Sequence, residues 1–162
     1  MDADLGTYFR PQPGGTILVG GLEPECDPLI WVDEPDDFDP NPSAEVWQAQ
    51  TYRLARRLPG LGVPSRPSGL AALYDVTPDW VPVYDRTSLE GFFVAVGTSG
   101  NQFKNAPMVG RFISRLVRAF ESGHDHDRDP VRLMCEFTGN EVNLGHYSRL
   151  RNMAESTHSV LG

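Results

Sequence analysis

The sequence predicts an α+β fold, in which a mixed, largely antiparallel β-sheet is combined with two long helices. The two helical segments lie near residues 43–58 and 107–123, and short β-rich runs surround them without a regular βαβ alternation. The chain has 162 residues, of which 40% are hydrophobic, so it can bury a sizeable core. We therefore expect one domain, or one lobe of a larger protein.

A hairpin is predicted over residues 7–22. The turn cluster Pro11–Gly15 separates a short aromatic run from the β-rich run Thr16–Gly20. Residues 23–43 are acidic and rich in proline, a composition typical of a solvated surface loop.

The first helix should begin after Asn41 or Ser43, because either side chain can cap an N-terminus. It should end near Pro59-Gly60. The Gly60–Ser65 segment lacks the third glycine of a dinucleotide-binding loop and follows a helix instead of a strand. We interpret this segment as a helix-ending loop.

Three further strands are predicted, over Leu70–Tyr74, Val81–Tyr84 and Gly91–Val96. The last is apolar throughout, so we expect it to be buried on both faces. The second helix follows, with Pro107 in its first turn and Gly123 as its stop. Its apolar side chains fall on one continuous stripe: Val109, Phe112, Ile113, Leu116, Val117 and Phe120.

The turn Gly97–Asn101 joins the apolar strand to this helix. A glycine-rich turn at a helix N-terminus leaves backbone N–H groups unpaired, and the helix dipole favours a negative charge there. The sequence therefore predicts a site for a negatively charged ligand group, with a plain connecting turn as the alternative.

The charge balance limits the possible partners. The net charge is −8, which argues against nucleic acid and anionic membrane surfaces as partners. The N-terminus lacks the pattern of a signal peptide, and no apolar run is long enough for a membrane span. Two lone cysteines, Cys26 and Cys135, fit a reducing compartment. We expect a cytoplasmic protein.

Three segments carry a resemblance to a known family. The Gly91–Gly110 segment, with Ser99-Gly100 followed by Phe103-Lys104 and Ala106-Pro107, resembles the C-terminal signature of the D-amino-acid oxidase/sarcosine oxidase (DAO) family of FAD-dependent oxidoreductases. Tyr74–Asp79 with Pro82 resembles the family's Thr-Pro-Asp segment, and Tyr8–Pro11 with Gly15 and Leu18-Val19-Gly20 resembles its Arg-Pro…Gly strand pair. The match covers about residues 7–121.

The resemblance implies oxidation of a C–N bond in an amine or amino acid, with hydride passing to FAD and an imine as product. It places one turn beside the pyrimidine edge of the flavin, namely Thr98, Ser99, Gly100, Asn101, Gln102 and Phe103.

The resemblance also implies substrate-binding residues. Lys104 matches a lysine that pairs with the substrate carboxylate, and an ordinary surface lysine is the alternative. Tyr74 matches a tyrosine of the substrate pocket, and a core aromatic is the alternative. Lys104 and Tyr74 are thus the candidate catalytic residues, and Arg10 is a weaker candidate for a second anion-binding group.

Departures from the family pattern qualify these expectations. Ala72 stands where some members attach the flavin to a cysteine, so FAD should be bound without a covalent link. Asn101-Gln102 replaces a common His-Gly pair. The sequence also lacks the Gly-x-Gly-x-x-Gly element that holds the ADP half of FAD. The FAD site should therefore be incomplete, and a dinucleotide-binding chain or a missing N-terminal segment should complete it.

We accordingly interpret residues 1–123 as a partial substrate and flavin-contact domain, and 124–162 as a polar linker with a C-terminal extension. The alternating His124–Asp129 run is interpreted as solvated surface, and no metal site is predicted. The rival function is that of a non-catalytic partner or regulatory domain that keeps the scaffold without turnover.

Overall fold

The computed structural model describes residues 1–24, 26–27 and 29–154. The chain divides into two compact units, Met1–Leu73 and Tyr74–Gly162. The first contains two strands and a helix, and the second contains two strands, a helix and two more strands, in that order. The combination of helices with antiparallel strand pairs confirms the α+β class.

The first unit opens with the predicted hairpin. Strands β1 (Thr7–Gln12) and β2 (Thr16–Gly21) pair antiparallel, and Tyr8 lies opposite Gly20. The Tyr8 ring occupies the space of a side chain at Gly20, because a Cβ there would lie 2.3 Å from Tyr8 Cζ. Glycine at this position lets the aromatic ring lie across the neighbouring strand.

The predicted first helix is also confirmed, as α1 (Ala44–Arg57). Ser43 caps it, since its Oγ accepts a hydrogen bond of 3.2 Å from the Val46 N–H. Leu54 is buried on its inner face, and Arg53 pairs with Asp27 through an Nη2–Oδ1 hydrogen bond of 2.6 Å.

The second unit contains two more strand pairs and one long helix. Strands β3 (Val83–Arg86) and β4 (Phe93–Val96) pair antiparallel, and so do β5 (Arg132–Met134) and β6 (Glu141–Asn143). Helix α2 (Ala106–Glu121) lies between the two pairs in sequence. Pairing is thus divided among three antiparallel pairs in the described part of the chain, instead of one mixed sheet, because each strand pairs with its neighbour in sequence.

Helix α2 packs on this unit with the apolar stripe that the sequence predicts. Phe112 and Leu116 are buried with Tyr84 of β3, Val131 and Leu144. Aromatic rings extend this core: Tyr147 lies 5.0 Å from Tyr84 and 5.7 Å from Phe112, measured between ring centroids.

One strand prediction is wrong, and a second is wrong about burial. Residues 70–74 form no strand, and Leu70 is 77% exposed. The strand predicted over Gly91–Val96 is present as β4, but Val96 is 45% exposed. A strand in a two-stranded pair has only one face against the core, so its apolar composition does not ensure burial on both faces.

A buried carboxylate joins β3 to the C-terminal part of this unit. Asp85 is completely buried and accepts hydrogen bonds from Arg86 N (2.7 Å), Ser148 Oγ (3.1 Å), Arg149 N (2.9 Å) and Arg149 Nη1 (3.0 Å). Arg149 also pairs with Asp127 at 2.8 Å. The charge of Asp85 is therefore neutralised and its lone pairs are occupied, as a buried carboxylate requires.

The interpretation of His124–Asp129 as solvated surface is wrong for His126, which is 5% exposed. Its Nδ1 accepts a hydrogen bond of 2.9 Å from Val131 N–H, and burial lowers its pKa. The neutral ring then carries its proton on Nε2, 4.0 Å from Asp85 Oδ1. Residues 124–154 thus lie within the second unit, while the proposed division at residue 123 stays a prediction.

Candidate functional site

The candidate site is the turn that follows β4. Gly97, Ser99 and Gly100 all adopt positive φ, at 72°, 48° and 72°. A Cβ at Gly97 would also lie 2.5 Å from Thr77 Cγ2, closer than non-bonded carbon atoms can approach. Glycine at this position therefore lets the turn lie directly against Thr77.

A carboxylate from the preceding loop holds this turn. Asp75 accepts hydrogen bonds from the Gly97 N–H, from the Thr98 N–H (3.0 Å) and from Thr98 Oγ1 (2.7 Å). Its backbone carbonyl accepts a further bond of 2.8 Å from the Ser99 N–H. Burial opposes ionisation of Asp75, but these side-chain and backbone hydrogen bonds outweigh it and lower the pKa of the carboxyl group.

The prediction that the turn directs unpaired N–H groups outward is therefore wrong for most of it. Asp75 occupies the N–H groups of residues 97–99, and the Asn101 N–H donates to Thr98 O at 3.2 Å. The Gly100 N–H, by contrast, has no hydrogen-bond partner within the described residues. It is the backbone donor of the turn that a ligand can still use.

The remaining side chains of the predicted flavin-contact segment differ in exposure. Ser99 is completely buried, with its Oγ 3.4 Å from Gly97 O, whereas Phe103 is 97% exposed. Gln102 is partly buried, and its Oε1 accepts a hydrogen bond of 2.9 Å from Tyr84 Oη, so this side chain is attached to a residue of the core. Burial, with a smaller effect of neighbouring Tyr147, raises the pKa of Tyr84 to about 12, so its hydroxyl stays protonated.

The predicted substrate-binding residues lie on both units. Lys104 is exposed in the 3₁₀-helix Gln102–Asn105, immediately after the turn. Tyr74 is 38% exposed and directly precedes Asp75. Arg10 is exposed on β1 of the first unit. Their roles in substrate binding stay predictions.

A second carboxylate of the same loop is held by the C-terminal part of the chain. Asp79 accepts two hydrogen bonds from Arg151, at 2.7 Å from Nε and 2.8 Å from Nη2. It also accepts bonds from Thr77 Oγ1 (3.0 Å) and from the Val81 N–H (3.2 Å). The hydrogen bonds from Arg151 are the main reason that the pKa of Asp79 falls to about 2.

This pair predicts a specific dependence of stability on pH. The pKa of Asp79 is lower in the folded chain (about 2) than its ordinary value of 3.8, so its ionised form stabilises the fold above about pH 4. We expect wild type to exceed Asp79→Asn by about 2 kcal/mol in free energy of unfolding at neutral pH. Urea unfolding at a series of pH values should show this gap closing as the pH falls towards about 2. A gap that does not change with pH would contradict the assignment.

Two surface grooves flank helix α2, with volumes of about 300 Å³ and 420 Å³. Arginine side chains line both, and neither is lined by Tyr74 or Lys104. These two grooves do not include the turn, where Gly100, Phe103 and Lys104 are exposed and Gly97 and Ser99 are buried.

The described residues offer neither a metal-binding cluster nor a membrane-spanning helix. They hold no group of three or more histidine, cysteine, aspartate or glutamate side chains that could bind a metal ion. No helix within them combines the length and the apolar character needed to cross a lipid bilayer.

Comparison of the sequence with known proteins assigns the chain to a family. The sequence model of the DAO family, described as FAD dependent oxidoreductase, matches residues 1–116. The chain is 28% identical over 120 residues to the bovine (Bos taurus) protein "FAD-dependent oxidoreductase domain-containing protein 1". This alignment covers 69% of the chain and 23% of the bovine protein, so the chain spans about a quarter of that relative. No solved structure matches.

The family match includes the hairpin, the loop that carries Asp75, the turn at 97–103 and most of α2. The last three of these elements, which all belong to the second unit, build the candidate site. The chain belongs to the DAO family of FAD-dependent oxidoreductases.

Proposed function

We propose that this chain is the substrate-binding and flavin-contacting part of an oxidoreductase that oxidises a C–N bond in an amine or amino acid. The observation that carries the proposal is the arrangement at residues 97–104. There a hydrogen-bonded turn leaves the Gly100 N–H without a partner among the described residues, and Phe103 and Lys104 follow it in solvent. The family supplies the general role in oxidation and reduction, and the C–N bond as target is the proposal.

Three features of the turn support the proposed contact with flavin, namely a backbone donor, a glycine and a helix dipole. The Gly100 N–H is available to an acceptor, and glycine at this position lets a planar ring approach the backbone. The dipole of α2 adds positive potential at the same end, which favours a ligand edge that gains negative charge. FAD, when bound, accepts a hydride from the carbon next to the substrate nitrogen.

Lys104 is the residue proposed to bind a substrate carboxylate. It is the only lysine in the sequence, and every other basic residue apart from histidine is arginine. An ammonium group on a flexible stem can follow a small substrate, whereas arginine suits a fixed bidentate partner. We propose that Tyr74 shapes the pocket and that Arg10 contributes a second positive charge.

A dinucleotide-binding element is needed to hold the ADP half of FAD. The sequence contains no Gly-x-Gly-x-x-Gly element, and the chain spans 23% of its bovine relative. We propose that a separate chain or a further segment supplies this element and covers the open surface around Phe103. Exposed apolar side chains nearby would then be buried, including Phe92 and Val96.

The first test is flavin binding by the purified chain. Visible absorption of the isolated chain is recorded first, and calorimetric titration with FAD follows, with and without a segment that carries the Gly-x-Gly-x-x-Gly element. Binding only in the presence of that segment would support the proposal. Tight binding by the chain alone would show a complete site, and absence of binding in both experiments would favour a non-catalytic partner or regulatory domain.

The second test uses Lys104→Met in the completed, FAD-loaded protein. We expect KM for a substrate that carries a carboxylate to rise about 10- to 100-fold, because one charge-assisted hydrogen bond is lost. KM for the matching amine without a carboxylate should change little. Arg128→Met is the control, since the Arg128 side chain is 89% exposed and forms a surface ion pair with Asp125. Equal effects on both substrates would contradict carboxylate binding by Lys104.

A further inference from the structure

The loop at residues 75–81 is attached at both ends, and its two attachments involve different parts of the chain. One end binds the candidate flavin-contacting turn, and the other binds the C-terminal segment. The loop therefore connects the turn to residues that lie beyond the family match, which ends at residue 116.

At the first end, Asp75 sets the path of the turn. Its carboxylate binds two consecutive N–H groups and one hydroxyl, and its carbonyl binds a third N–H group. Two consecutive positions, Ser99 and Gly100, then have positive φ, which leaves the Gly100 N–H unoccupied. Positive φ at a non-glycine residue such as Ser99 persists only where neighbouring contacts enforce it.

In the middle of the loop, Thr77 contacts the turn directly at Gly97. Its Cγ2 lies where a side chain at Gly97 would be, and its Oγ1 donates a hydrogen bond of 2.8 Å to Val81 O. A displacement of Thr77 would therefore either press on Gly97 or leave a gap beneath it.

At the second end, Arg151 binds three acceptor atoms of the loop. Its guanidinium binds both oxygens of Asp79 and the carbonyl of Val81. The Arg151 side chain is only 9% exposed, and the Asp79 side chain is 13% exposed. An ion pair this well shielded, with bidentate geometry, holds the loop more rigidly than an exposed pair would.

We propose that Asp75 and Arg151 are positioning residues for the flavin-contacting turn, and that Arg151 acts on the turn through Asp79 and Thr77. This inference rests on the proposed function, in which the turn contacts FAD. Neither residue is proposed to contact FAD itself. Asp75 keeps three N–H groups away from the ligand and leaves the Gly100 N–H available, and Arg151 keeps Asp79 and Thr77 in place beneath Gly97.

The first readout needs no flavin. In amide NMR spectra of the chain, the Gly97 and Thr98 protons should lie downfield, because both donate to a carboxylate. Asp75→Asn should move them upfield and speed their hydrogen exchange by about tenfold or more. Arg151→Met should produce a smaller change of the same sign, Arg151→Lys a partial one, and the exposed control Arg128→Met none. Unchanged amide protons in both Asp75→Asn and Arg151→Met would overturn the proposal.

The second readout uses the completed protein with FAD. We expect Asp75→Asn and Arg151→Met to raise the dissociation constant of FAD by about tenfold and to shift the visible flavin spectrum, while Arg128→Met leaves both unchanged. If wild type binds no FAD, the proposed function fails, while the amide readout still tests the positioning contacts. If wild type binds FAD and both variants bind it equally well with an unchanged spectrum, the positioning proposal fails and the proposed function stands.

Discussion

Asp85→Ala is expected to lower the free energy of unfolding of the second unit by about 3 to 5 kcal/mol, as removal of one partner from a buried ion pair does. The carboxylate is completely buried and accepts four hydrogen bonds. Its removal leaves the N–H of Arg149 and the hydroxyl of Ser148 without their acceptor, and each unsatisfied buried group adds to the loss. Urea unfolding followed by tryptophan fluorescence and circular dichroism measures the change.

The control for this experiment is Asp125→Ala. Asp125 belongs to the same unit, but its side chain is 47% exposed and its ion pairs with Arg86 and Arg128 are long, at 3.9 Å and 3.4 Å. A loss of no more than about 0.5 kcal/mol is expected for such a surface pair. Similar losses in both variants would show that Asp85 does not have the structural role described here.

Leu144→Ala should lower the free energy of unfolding by about 2 to 5 kcal/mol, the range for truncation of a buried leucine. Leu144 has no exposed surface and lies in the core with Tyr84, Phe112 and Leu116. Its alanine variant would leave a cavity against aromatic rings, which cannot easily move to fill it. The same unfolding experiment measures this loss.

Leu150→Ala provides a matched control for Leu144→Ala, since Leu150 is six residues later and 64% exposed. Its truncation should cost less than about 1 kcal/mol, because little apolar surface is removed from the interior. If Leu144→Ala were as mild as Leu150→Ala, the placement of Leu144 at the centre of the core would be wrong.

The elements that the sequence predicted well are those with local signals. The glycine-rich turn of the hairpin, the Ser43 cap of α1 and the apolar stripe of α2 each depend on residues within a few positions of one another. Because all the residues of such a signal are close together in the sequence, the limits of these elements were predicted to within a few residues.

The features that were missed depend on distant partners. His126 was assigned to a solvated run because its neighbours are charged, yet it is buried beside Asp85, which lies far earlier in the chain. The β5–β6 pair was not predicted because each strand has only three residues. Short strands carry too few alternating positions to be distinguished from a loop.

In the candidate site, too, the local features were predicted and those that depend on distant residues were not. The position of the turn was predicted from its glycines, and in the structure Gly97 and Gly100 both have positive φ. The availability of its N–H groups was not predictable, because the acceptor that occupies them, Asp75, lies 22 and 23 residues earlier. A spacing of that size has no local pattern, and only the folded chain shows that Gly100 keeps its N–H free.

The hydrogen bonds of Asp85 also have a consequence for synthesis on the ribosome. Ser148 and Arg149 lie 63 and 64 residues after Asp85, so β3 and α2 leave the exit tunnel before the groups that neutralise this carboxylate. Until then, burial of β3 would place an unpaired charge in the core, which is strongly unfavourable. The second unit should therefore reach its native packing late, once Arg149 has left the tunnel. Contacts so distant in sequence form only when the intervening chain closes into a loop.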